Sequence, residues 1–479
     1  MAKLRPVDVT LVTIDRFYER VKAGLAHHLE AGKEEVISIG DVSLSSLKDG
    51  DEAFKKLFKA LVAEEEVVCL KSGKRIAPLQ KPQVVILDPF VIEPFNYIRE
   101  ICDNTIKVYA WGTGMAETTL YLFGPEDIGG RGNIRIRAEE EAKRSGRPYK
   151  EVALEIVYQS KGEVVCVPDK PPMYDYEYQP QDFPVPDHIG YMVIPRAYET
   201  LQAMDGIFLA TPECYEPTTV AAMRSWFGET RRAVYACGPL LPTTSKESAQ
   251  AHERKPCVGR SSEIEEFLDA TLKASGSRSL LYISLGTVFW PITRPQNMWA
   301  VLDVVIELDI PFILAHVSEL ASIPEEVKEK VKSYGKGVLS PWTPQYLILD
   351  HPATGWFLTH GGHNSVIESI SAGVPMIFWP FLGDQPANAV HCTDHLGIGY
   401  ELLEVRTGHG LKPIYRTGRT PLGTVDAIRA EVREVLQDAF GEDGARKRER
   451  LVEMRRVVNS QWDEGGASRR DVVAFLDSL

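Results

Sequence analysis

Trp342-Thr-Pro344-Gln345 opens a run that continues as Gly355-Trp-Phe-Leu-Thr359, His360-Gly-Gly362-His363-Asn364-Ser365-Val-Ile-Glu368, Gly373-Val-Pro375-Met-Ile-Phe-Trp379 and Gly383-Asp384-Gln385. Two short apolar stretches, Gly355 to Thr359 and Pro375 to Trp379, flank a segment that begins with paired glycines and stops at a glycine. That pattern predicts strand, helix, strand, with Gly373 and Pro375 ending the helix. In an open α/β sheet, ligands bind where such a strand stops and its helix begins. The helix N-terminus there offers unpaired N–H groups and a positive dipole end, which suits a phosphate.

The polar residues of this run each admit two readings. Trp342 can stack a base, a contact of about 1–3 kcal/mol, or fill a core. His360, Asn364 and Ser365 can donate to diphosphate oxygens, and Gly362 lets backbone approach a ligand. Ser365-x-x-Glu368 is also a capping box, which would satisfy the helix start by itself. Asp384-Gln385 can hold adjacent sugar hydroxyls, or form a solvated loop pair. His360-x-x-His363 does not suggest a metal, because paired glycines do not hold two ligands rigidly.

This run closely resembles the nucleotide-sugar signature of the UDP-glycosyltransferases, known in plants as the secondary product glycosyltransferase box. The match covers 44 residues, and weaker resemblance extends over most of the chain. The resemblance implies the GT-B fold, an α/β arrangement of two doubly wound Rossmann-like domains facing across a cleft. It assigns Trp342 to uracil, Gln345 to uracil or ribose, and Glu368 to the ribose hydroxyls. His360, Gly362, Asn364 and Ser365 go to the diphosphate, and Asp384 and Gln385 to the sugar. Ser284 and Thr287, in Ser284-Leu-Gly286-Thr287, would add phosphate contacts; their plain reading is a strand-to-helix turn. His363 departs from the plant pattern, which has Trp there.

Two sets of alternating strands and helices surround the run, as two such domains require. Strands are predicted at Val7 to Thr13, Gln83 to Leu87, Thr105 to Trp111, Asp205 to Thr211 and Arg232 to Cys237. Polar residues 243–262 read as a linker. Residues 1–242 would then be an acceptor-binding domain and 263–450 a UDP-sugar-binding domain. Residues 451–479 form final helices, which the resemblance carries back to the first domain. Gly162 to Asp187, rich in Pro and Tyr, reads as a long ordered loop.

The resembled family pairs a His, in a His-x-x-Pro turn after its first strand, with an Asp at the end of a later strand. Asp88 in Val84-Val-Ile-Leu-Asp88-Pro matches the Asp; its plain reading is a turn cap. The His turn has no counterpart, and the opening residues look like the family's second strand. The first strand and helix are therefore expected to be missing. His27 and His28 lie in an Ala-rich helical run.

The chain has 479 residues, a length that suits two domains, with 44% hydrophobic and 25% charged residues. A net charge of −13 without a basic stripe argues against nucleic acid and anionic membranes. No apolar run approaches the length of a bilayer span, and no apolar signal region follows Met1-Ala-Lys-Leu-Arg-Pro6. Seven scattered cysteines fit a reduced, cytoplasmic protein. The expected activity is metal-independent transfer of a sugar, glucose first, from UDP-sugar to a hydroxyl of a small lipophilic acceptor with inversion. UDP-sugar is co-substrate, and no cofactor is expected. The alternative is a nucleotide-sugar-binding pseudoenzyme that lacks the catalytic His.

Overall fold

The computed structural model describes residues 4, 5, 7–25, 34–40, 47–158, 160–241 and 258–479. Strands β1 (Val9–Thr13) and β2 (Glu34–Ser38) pair in parallel. Strands β3 (Val84–Leu87), β4 (Lys107–Gly112), β5 (Gly206–Leu209) and β6 (Ala233–Ala236) form a second parallel sheet, in the order β6-β5-β4-β3. Helix α1 (Leu47–Val62) connects the two pieces. Its Phe54 and Phe58 enter the main core, while Leu57 and Leu61 pack with Ile37 and Cys69. Helices α2 (Ala116–Phe123) and α3 (Pro217–Gly228) follow β4 and β5.

The C-terminal half carries six parallel strands: β7 (Leu280–Ser284), β8 (Phe312–Ala315), β9 (Gly337–Ser340), β10 (Thr354–Thr359), β11 (Met376–Phe378) and β12 (Gly399–Glu401). Their order is β9-β8-β7-β10-β11-β12. The strand order reverses between β7 and β10, and that switch point is where a doubly wound sheet binds its ligand. Every residue of β7, β8, β10 and β11 is buried, which is why these strands read as continuous apolar runs rather than alternating ones. Helix α4 (Val258–Ser275) begins inside the stretch taken as linker, so residues 258–262 are helical. The rest of that stretch, like His27 and His28, lies outside the described residues.

Helix α5 (His363–Ala372) joins β10 to β11, and α6 (Gln385–Val390) follows β11. The chain ends with α7 (Glu442–Asn459) and α8 (Ala467–Asp477). Val472, Phe475 and Leu476 of α8 pack on Tyr109, Phe208 and Tyr235 of the N-terminal sheet. Asp471 anchors that contact by accepting from the Ala236 N–H at 2.6 Å and pairing with Arg224 at 2.9 Å.

The Pro- and Tyr-rich loop is ordered and ties the halves together a second time. The Tyr176 hydroxyl donates to the Pro413 carbonyl at 2.6 Å, the Thr407 N–H to the Pro180 carbonyl at 3.0 Å, and the Tyr415 N–H to Glu177 at 3.0 Å. Among the described residues, no helix is long and apolar enough to cross a membrane.

Candidate active site

Ser284 and Thr359 are register partners at the C-terminal ends of β7 and β10, on the two sides of the switch point. His360 follows directly and fills the crevice. A Cβ on Gly286 would lie 2.7 Å from His360 Nε2, and one on Gly362 would lie 2.6 Å from it. Gly286 also has φ +78°, which favours glycine. Burial lowers the His360 pKa to about 4, against a hydrogen bond with the Ser284 backbone. The ring is therefore neutral at pH 7, with one donor and one acceptor nitrogen. Ser284 is buried beside it and Thr287 is exposed.

Helix α5 starts at His363 with Gly362 as its N-cap, and no side chain caps it. Ser365 is thus the third helical residue, and Ser365 with Glu368 does not form the capping box the spacing allowed. Instead, Gln345 Nε2 donates to Ser365 Oγ at 3.2 Å and to Glu368 Oε2 at 2.7 Å. The Tyr282 hydroxyl, bonded to Thr343 Oγ1 at 2.8 Å, reaches Gln345 Oε1 at 3.4 Å. Burial raises the Glu368 pKa and the Gln345 bond opposes it. Asn364 is exposed at the helix start. Trp342, three residues before Gln345 in the chain, is half-buried and belongs to no hydrophobic core cluster of the described residues.

Gln385 is buried and Asp384 partly buried, each with hydrogen-bond partners in the protein, so they are not a solvated loop pair. Asp384 Oδ2 accepts the His363 N–H at 2.9 Å and the Asn388 Nδ2–H at 3.4 Å. Burial is the main cause raising its pKa, to about 6. Gln385 Oε1 accepts from the N–H groups of Phe381 at 2.8 Å and Leu382 at 3.4 Å, so its carbonyl is turned to its own loop.

From the other domain, the loop after β4 reaches this point: a Cβ on Gly114 would lie 3.4 Å from Asp384 Oδ2. Asp88 ends β3, the neighbour of β4, with Leu87 beside Ala110. Asp88 is exposed; its Oδ1 accepts the Phe90 N–H at 2.9 Å, the turn cap, and desolvation by the surrounding chain raises its pKa. Among the described residues, no histidine bonds to Asp88.

Sequence reasoning missed a buried polar group between the halves. Glu216 caps the start of α2, accepting the Ala116 and Glu117 N–H groups at 2.9 Å each, and burial pushes its pKa up to about 7. Glu117 pairs with Lys170 Nζ at 2.5 Å and accepts from the Tyr178 hydroxyl at 2.8 Å. These residues are scattered over 100 positions in a helix start, a loop and a turn, with no spacing that could have joined them.

Residues 210–409 match the family model described as "UDP-glucoronosyl and UDP-glucosyl transferase". The chain is 32% identical over 413 residues to UDP-glycosyltransferase eriJ of Hericium erinaceus, a match covering 84% of this chain and 79% of that protein. Against anthocyanidin 3-O-glucosyltransferase 5 of Manihot esculenta it is 28% identical, covering 55% of this chain and 52% of the relative, so it spans about half the length of that plant protein. The fold is similar to that of a transferase from Siraitia grosvenorii in complex with UDP, with TM-score 0.67, 17% identity and coverage of 98% and 92%. It is also similar to UGT2 of Phytolacca americana complexed with UDP-2fluoro-glucose and pterostilbene, with TM-score 0.63, 19% identity and the same coverage. These solved structures are GT-B proteins, and the two facing parallel-sheet domains described above share that fold. The chain belongs to the UDP-glycosyltransferase family, enzymes that transfer a sugar from a UDP-sugar.

Proposed function

We propose that this enzyme transfers glucose from UDP-glucose to a hydroxyl of a small lipophilic acceptor, with inversion and without a metal. The observation that carries this reading is the Gln345 amide, which holds Ser365 and Glu368 together at the start of α5. Trp342 stacks the uracil, Gln345 and Glu368 meet the nucleoside, and Glu368 accepts from the ribose hydroxyls. His360, Asn364, Ser365 and the backbone at Gly362 face the diphosphate, with Ser284 and Thr287 across the crevice. Asp384 and Gln385 hold the sugar. The acceptor oxygen attacks the anomeric carbon from the face opposite the C–O bond to UDP, and UDP leaves with the bonding electrons. The start of α5 stabilises the charge that develops on the diphosphate. Asp88, its pKa raised by desolvation, takes the acceptor proton or orients the group that does. A cytoplasmic setting is part of the proposal, since the described cysteines are all free thiols.

Hydrogen bonds to a charged group contribute roughly 1.5–3 kcal/mol, so Glu368→Ala should weaken UDP binding about tenfold or more. Calorimetry checks this: unchanged UDP affinity would remove Glu368 from the donor site. A second reading, a donor-binding pseudoenzyme, is favoured by the missing histidine contact at Asp88 among the described residues. Mass spectrometry after incubation with UDP-glucose and a panel of phenols and sterols separates the two. Glycoside supports transfer, and UDP-glucose binding without product supports the pseudoenzyme.

A further inference from the structure

Lys170 is buried, with its side chain 2% exposed, and its ammonium makes one ion pair among the described residues, to Glu117 Oε2 at 2.5 Å. No hydrogen bond there takes up its remaining N–H groups. An ammonium carries three donors, and burying unspent ones is costly unless something meets them. The surroundings place Lys170 at the junction of the two halves. Glu117 stands three residues after Gly114, the residue against Asp384. The carbonyl of Asp169, the preceding residue, lies 3.3 Å from His391 Nδ1 and 2.8 Å from His395 Nδ1, on the turn that continues α6 from Gln385. His391 in turn meets the Tyr215 carbonyl at 2.8 Å, and the Tyr215 ring packs 5.7 Å from the His363 ring. Both His363 ring nitrogens are buried without a hydrogen-bond partner. Two buried groups with unmet donors or acceptors thus flank Asp384 from opposite domains.

We propose that Lys170 is a donor-sugar residue supplied by the N-terminal domain, whose ammonium reads hydroxyls of a neutral hexose held by Asp384. This rests on the donor-site reading given above and extends it to sugar class. Glu117 pairs with the ammonium, Glu216 accepts the Glu117 N–H at 2.9 Å, and Asp384 stands against Gly114 three residues before Glu117, so three carboxyl groups gather on this side of Lys170. A polyol can donate to those carboxyls and accept from Lys170. A uronic acid would bring a fourth carboxyl into an acidic pocket, where like charges repel.

The test is calorimetry without acceptor, comparing UDP, UDP-glucose and UDP-glucuronate. The wild type should bind UDP-glucuronate at least about a hundredfold more weakly than UDP-glucose. The double variant Lys170→Met/Glu117→Gln removes both charges of the pair at similar volume. It should leave the Kd for UDP unchanged and raise the Kd for UDP-glucose about tenfold. Lys170→Arg, which keeps the charge, is the second variant should the first not fold; it should also weaken UDP-glucose and not UDP. A folded variant whose ratio of UDP-glucose to UDP affinity matches wild type overturns the role of Lys170. Equal wild-type affinity for the two UDP-sugars overturns the neutral-hexose claim. A wild type that binds no UDP defeats the donor-site reading itself, a different result from either.

Discussion

Asp384 pays for its place at the sugar end with its own ionisation. Its pKa rises from 3.8 to about 6, mainly through burial. Between those values the folded protein keeps a proton that the unfolded chain has lost. The stability this gives is full below about pH 4 and is lost as pH rises through about 6. Asp384→Asn stays neutral and still presents an oxygen to the His363 N–H. Its melting temperature should gain on the wild type from pH 4 to 6.5 and level off above, while UDP-glucose binding falls. A gap that does not grow with pH would mean Asp384 is not titrating there. Trp342 and Ser365 give a sharper separation. Trp342→Ala should weaken uridine and UDP alike, by roughly the 1–3 kcal/mol of a stacked base. Ser365→Ala should weaken UDP and spare uridine. Calorimetry with uridine decides, and wild-type uridine affinity in Trp342→Ala refutes the stack. The roles proposed for Trp342, Gln345 and Glu368 were legible because a signature spaces them. Lys170 and Glu117 were not, because a buried ion pair between a loop and a distant helix start leaves no period in the sequence.

At the scale of elements, the two strand ends at the switch point and the start of α5 work as one piece. Gly286 sits at φ +78°, and a Cβ there would strike the His360 ring at 2.7 Å. A side chain in left-handed backbone costs about 1–2 kcal/mol, and a displaced His360 loses its place by the diphosphate. Gly286→Ala should therefore lower thermal stability and weaken UDP, with uridine little changed. Adding His360→Ala should return part of the stability but none of the UDP affinity, a coupling that a double-mutant cycle measures. Additive effects would mean the ring and the glycine do not meet. The strands read from the sequence at β1, β3 to β6, β10 and β11 lie within about two residues of those in the structure, and β10 and β11, buried on both faces, read as apolar runs, whereas β2, β9 and β12 were not read from the sequence. Boundaries failed where polarity hid them. Val258-Gly-Arg-Ser-Ser262 has no apolar repeat, so the first turn of α4 looked like linker. Ser365 and Glu368 looked like a cap because spacing alone cannot say which residue begins a helix; Gly362 does.

At the scale of the molecule, the described parallel strands of the N-terminal half fall into two sheets and those of the C-terminal half into one. The C-terminal sheet has six strands in one layer, whereas β1 and β2 stand apart from the four strands of β3 to β6. Ile86 in β3 and Val12 in β1 are 37% and 36% exposed, unusual for apolar residues of parallel strands. The donor side is thus built around a closed switch point, and Asp88 ends an edge strand with no histidine bonded to it among the described residues. General-base help typically contributes about 10²–10⁴-fold in rate. Asp88, its pKa raised by desolvation, is a better base than an ordinary carboxylate, yet a weaker one than a positioned imidazole. Acceptors that ionise near neutral pH need that help least. Transfer to acidic phenols should therefore exceed transfer to aliphatic alcohols by about that factor, with UDP-glucose binding normal throughout. Asp88→Asn should depress the alcohol reaction much more than the phenol reaction. Initial rates across a series of acceptors of graded acidity measure this directly. Fast turnover of an aliphatic alcohol by the chain as it stands would place an efficient base elsewhere, and His27→Ala and His28→Ala would be the variants to assay next.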